Sequence, residues 1–219
     1  MGARAEKTPA MTRFAPVLLL LALTCAAPAL AHEIGGRDAA FVAATRGPAP
    51  GAFLYLGAKH MVTGYDHLLF LAGVVFFLRG ARDVLIYVSL FSLGHSVTLL
   101  AGTLLGFGLN AWLVDAVIGL SVAWKAFDNL GGFETVAGYR PDPRAMVLLF
   151  GLVHGLGLAT KLEALRLHRE GLLANLVSFN IGVELGQVAA LSVVLAALAL
   201  LRAARMRSAV ASGLNWAIM

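Results

Sequence analysis

Five apolar stretches, each near the length that crosses a bilayer, follow one another with short connections. They run over residues 53–78, 84–106, 110–130, 144–161 and 172–201. In lipid a backbone finds no water, and a helix satisfies its own polar groups. Neither an alternating strand pattern nor an internal repeat breaks the series. The expected fold class is all-α, a polytopic membrane helix bundle of about five spans. The chain is 59% hydrophobic and 13% charged, against about 45–50% and about 25% in soluble domains. An ordinary soluble enzyme, a disordered chain and a disulfide scaffold are thereby excluded.

The first 31 residues are expected to be a cleaved signal peptide. Residues 11–31, MTRFAPVLLLLALTCAAPALA, hold basic Arg13, an apolar run from Val17 to Leu23, and the small-residue pattern Ala29-Leu30-Ala31. Pro16 and Pro28 bracket a run too short for a first span. Cys25, the single cysteine, lies in this segment in a poor lipid-attachment context, so the mature chain has no thiol for a disulfide, a zinc ribbon or a nucleophile. Arg4, Lys7 and Arg13 lie there too, so the formal net charge of +5 is no argument for nucleic acid. Residues 32–52, with Gly35, Gly36, Pro48 and Pro50, read as an extracytoplasmic leader. Cleavage would make His32 the first residue, where amine and imidazole together can chelate a metal; a plain leader is the alternative.

Orientation follows from the basic residues. With the mature N-terminus outside, Arg79, Arg82, Arg140, Arg144, Arg202, Arg205 and Arg207 fall on the inner side. The outer 162–171 loop is mixed, with Glu163, Arg166, His168, Arg169 and Glu170. The expected location is a bacterial inner membrane, with the mature N-terminus periplasmic. Residues 202–219 form a basic tail or a partial last span.

Ionisable groups inside a membrane cost about 2.5–3.5 kcal/mol each at mid-helix. The first span holds His60, Asp66 and His67; the second, His95; the third, Asp115, Lys125 and Asp128; the fourth, His154; the fifth, Asn180, Glu184 and Gln187. His67, His95, His154 and Glu184 all fall near mid-membrane, although their helices alternate in direction. His60 lies one heptad before His67, on a similar face and about 10 Å nearer the outside. Asn180, Glu184 and Gln187 share a face by their i, i+4, i+7 spacing. A lone intramembrane His is usually a helix–helix hydrogen bond of about 0.6 kcal/mol, whereas three His and a carboxylate at one depth point to metal ligands. Ser96, Asp115, Asn180 and Gln187 are expected as supporting polar groups; for Asp115, near the outer end of its span, exposure to headgroup water is the alternative. Lys125 and Asp128, near the inner end, can pair or snorkel.

Imidazole with carboxylate suits nickel, cobalt, zinc or copper, and the lack of thiols argues against Cu(I). Gly64, Gly94, Gly155, Gly157, Gly182 and Gly186 stand beside these residues, where small side chains let helices approach. The ligand set is therefore His60, Asp66, His67, His95, His154 and Glu184. It would serve a permease or, alternatively, an intramembrane zinc hydrolase with an open coordination position. A non-transporting subunit of a larger complex is a third reading.

These motifs resemble the HupE/UreJ family of small nickel/cobalt permeases. The first-helix pattern is His60, five residues, then Asp66-His67 and LLFL. His95, Ser96, Thr98 and Leu99 match the second-helix pattern, Phe150 to Gly157 the fourth, and Phe179 to Gln187 the fifth. Asp115 stands where that family usually has Glu. The ordered set covers residues from about 57 to 190. The resemblance implies uptake of nickel or cobalt as the transported ion, serving hydrogenase or urease maturation, with no prosthetic cofactor and no catalytic residue. Partners would be the lipid bilayer and a metallochaperone or a second copy.

Overall fold

The computed structural model describes residues 36–203, apart from 76, 77, 79 and 108. The expected signal peptide (1–31), His32 and the tail from 204 lie outside the described residues. The described residues form eight helices and no strand. These are α1 (Gly36–Ala44), α2 (Pro50–Thr63), α3 (Tyr65–Val75), α4 (Ala81–Leu105), α5 (Ala111–Asn129), α6 (Gly132–Ala137), α7 (Pro143–Ala164) and α8 (Leu172–Ala203). Stretches of α4, α7 and α8 are long and apolar enough to cross a membrane. α5 carries Asp115, Lys125 and Asp128 within 19 residues, which lowers its apolar character. The first expected span is two helices, α2 and α3, divided at Gly64.

Local signals set the ends. Asn110 caps α5, its side chain accepting from the Trp112 and Leu113 amides. Asp142 caps α7 through Arg144 and Ala145, with Pro143 at the first helical position. Gly106 closes α4 in the left-handed conformation, at φ 70°.

Two parallel helix pairs form the frame, α4 with α7 and α2 with α8. In each, glycine brings backbone against backbone. A Cβ at Gly94 would lie 2.6 Å from the Leu148 carbonyl oxygen, and one at Gly151 would overlap that of Phe91. One at Gly155 would overlap the His95 oxygen. Thr98 Oγ1 adds a hydrogen bond to the Leu152 carbonyl at 2.7 Å. In the other pair, Gly57 faces the Phe179 carbonyl, Gly182 that of Leu54 and Gly186 that of Ala58. Gly151/Gly155 and Gly182/Gly186 are thus small residues four apart, the spacing that lets membrane helices pack closely. α5 packs antiparallel on α7, where Ile118 and Val114 meet Gly157. It runs parallel to α3, where Asn129 donates to the Gly73 carbonyl at 2.8 Å.

Residues 36–49, despite their Gly and Pro content, are tied to the bundle. α1 buries Val42, and Asp38 pairs with Lys59 at 2.7 Å. Asn175 of α8 accepts from the Ala49 amide and donates to the Gly47 carbonyl. At the other end of the bundle Asp128 is held by Lys125 at 2.8 Å and by Arg140 at 2.9 Å. Pairing, one of the two expectations for Lys125 and Asp128, is what the structure shows.

A branched side chain at Gly182 would meet backbone that cannot move aside. Gly182→Val should lower the thermal midpoint of the detergent-solubilised protein, by the equivalent of about 1–3 kcal/mol of overpacking. Gly51→Ala, with nothing within 4 Å of the added Cβ, should leave it unchanged. Equal melting of the two variants would contradict the packing scheme.

Candidate metal-ion site

Gly64 adopts an extended conformation, φ −76° and ψ 95°, between α2 and α3. On an unbroken helix His60 and His67 would stand two turns apart, about 10 Å. Their ring centres are instead 5.0 Å apart. The expectation of a continuous span with His60 at a separate, outer level is corrected: the break folds both rings into one layer. Glycine is required there, since a Cβ would lie 2.6 Å from His67 Nδ1 and 3.0 Å from the His60 carbonyl oxygen.

Two further rings complete the cluster. His154 of α7 lies 5.0 Å from His67. His95 of α4 lies 5.8 Å from His67 and 6.4 Å from His60. His67, His95 and His154 are fully buried, and His60 is 7% exposed. Asp66 sets a carboxylate oxygen 3.3 Å from His67 Nδ1. His154 Nδ1 is 2.7 Å from the Phe150 carbonyl. A carbonyl only accepts, so Nδ1 carries the proton and the lone pair sits on Nε2. His95 hydrogen-bonds to no protein group among the described residues.

The spacing decides what such a cluster can hold. Two imidazoles on one tetrahedral ion, at about 2.1 Å per bond, have ring centres about 5 Å apart. The nitrogens do not converge as they stand, since among the described residues no three His, Cys, Asp or Glu side chains form a closed ligand group. Ring rotation is the adjustment that an ion would require.

Glu184 does not join this layer. It is exposed on α8, whereas the rings are buried. The face of α8 turned inward is fixed by Leu176, Phe179, Gly182, Val183 and Gly186, and Glu184 falls just past its edge. Its rotation about the helix axis turns it away from the rings. Asn180 donates to the Leu176 carbonyl of its own helix at 2.9 Å. Gln187 accepts from Ser92 and donates to the Val88 carbonyl, tying α8 to α4. Ser96 is half-buried beside His95, and Asp115 pairs with Lys161 at 3.1 Å.

Sequence reasoning missed a layer of phenyl rings below the imidazoles. Phe70, Phe91 and Phe150 come from α3, α4 and α7, with centres 5.4 Å (Phe70–Phe91) and 5.6 Å (Phe70–Phe150) apart. Phe91 and Phe70 lie 5.1 and 5.7 Å from His154. Each Phe stands about one turn from a cluster His, always toward the α6 end. The signal was in the spacing: Phe follows His67 on the helix running that way and precedes His95 and His154 on the two running back.

The chain matches no curated protein and no solved structure. A family model described as HupE / UreJ protein matches residues 36–219, which includes every residue of the imidazole and phenyl layers. The chain belongs to the HupE/UreJ family.

Proposed function

We propose that this chain is a permease that carries Ni²⁺, or Co²⁺, inward through the imidazole layer. The family is associated with nickel and cobalt transport for hydrogenase and urease, and points to a transporter rather than an enzyme. The observation that carries the reading is the meeting of four buried rings from α2, α3, α4 and α7, with Asp66 beside them. Those donors suit a first-row transition ion, while Ca²⁺ and Mg²⁺ favour oxygen alone.

The ion comes from the α1 end, taken as periplasmic, and meets His60 and Asp66 first. His67, His95 and His154 then hold it. Rotation of the rings trades water ligands for imidazole without unfolding a helix. The phenyl layer blocks water on the inner side, as apolar constrictions do in channels, so it must part for release. The sequence holds no glycine-lysine phosphate loop, so ATP hydrolysis by this chain has no support. An inside-negative potential of 100 mV favours a divalent ion by about 4.6 kcal/mol, at about 2.3 per charge.

Radioactive nickel uptake into proteoliposomes containing only this chain tests the reading. His67→Ala should lower the initial rate by more than about tenfold, as losing a central ligand costs at least what losing a supporting partner does. The variant should remain folded by circular dichroism. Wild-type uptake from that variant would reject the central site.

Acidification should slow uptake at constant membrane potential. Protons and metal compete for the same ring nitrogens, and only deprotonated nitrogen binds metal. The initial rate should therefore fall as pH drops and recover on return to neutrality. A rate that rises or stays flat through the acid range would remove the imidazoles from the path.

A further inference from the structure

Lys161 and Asp115 form an ion pair of 3.1 Å between α7 and α5, with side chains 19% and 13% exposed. Lys161 is seven residues beyond His154, two turns along α7 and within about 20° of the same face. It lies on the side of the imidazoles away from the phenyl layer, since Phe150 precedes His154 and Lys161 follows it. Gly157 lies between, so close to Ile118 and Val114 that α5 is held against α7 at this level. Exposure falls inward, from this pair to His60 at 7% and the remaining rings at 0%. The pair therefore sits at the mouth of the site.

A carboxylate at the mouth of a cation path attracts any cation. Here its charge is already balanced by a tethered ammonium. We propose that Lys161 is a resident cation on Asp115 that an incoming metal ion must displace, which makes it a specificity-determining residue. This rests on the transport reading above. Displacement costs every divalent ion the Lys161–Asp115 attraction. An ion that also binds nitrogen regains it at His60 and the rings behind. Ca²⁺ and Mg²⁺ gain only the carboxylate, so the tethered ammonium screens them out.

The test is nickel uptake by wild-type, Lys161→Gln, Asp115→Asn and doubly substituted proteoliposomes, matched for folded protein, with Ca²⁺ and Mg²⁺ as competitors. Lys161→Gln should lower the KM for Ni²⁺ by about threefold to fivefold, the weight of a partly exposed ion pair. It should also make Ca²⁺ and Mg²⁺ inhibit where they do not inhibit wild type. Asp115→Asn should raise KM, and the double variant should lose the gain of Lys161→Gln. An unchanged KM and unchanged discrimination in Lys161→Gln would overturn the proposal, even if its thermal midpoint falls. So would a double variant that keeps the gain, because the effect would not run through Asp115. Absence of uptake by wild type would instead overturn the transport reading, and this proposal with it.

Discussion

Unwinding one residue of a helix within a membrane is costly, because its backbone groups lose their partners where water is scarce. At Gly64 that cost is contained. The Gly64 amide still donates to the His60 carbonyl at 2.9 Å, and the Leu68 amide to the Gly64 carbonyl at 3.2 Å. The break turns two helical levels into one, so that His60 and His67 face each other and His95 and His154 can close the set. It also brings the carbonyl end of α2 to the rings, and the partial negative charge of a helix C-terminus favours a cation there.

The same economy of side chains governs the frame. Glycine on α4 and α7, and on α2, α8 and the break itself, removes the bulk that would separate backbones. Close approach lets imidazoles from four helices meet and sets the phenyl rings directly beneath them. Both layers depend on the two parallel pairs. A shift of α7 along α4 would move His154 and Phe150 together, out of line with His95 and Phe91. The imidazole and phenyl layers are in this sense one packing problem.

Much of this was legible in the sequence, and what was not has identifiable causes. Hydropathy located the helices, and the depth of His67, His95 and His154 foretold that they meet. Depth is a one-dimensional coordinate, however. Glu184 is turned outward, because the glycine face of α8, rather than its polar residues, chooses what turns inward. The sequence marks Gly64 only as a small residue where helices can approach; nothing in the spacing of His60 and Asp66 reveals that the helix opens there. The ordered leader was also hidden, since Val42 finds its burial against residues far along the chain. The Lys161–Asp115 pair is not legible in the sequence, because nothing in the spacing shows that these two side chains oppose each other across α7 and α5.

The proposed path has graded chemistry, with a paired charge at its mouth, imidazole rings at its centre and phenyl rings below. Its proposed central step is the transfer of a transition ion from water to imidazole. X-ray absorption fine structure at the nickel edge, on purified protein loaded with one equivalent of Ni²⁺, tests that step most directly. The account predicts the multiple-scattering signature of several imidazole rings, with no sulfur, which weakens in His154→Ala. A shell of oxygen alone, unchanged by that substitution, would contradict it.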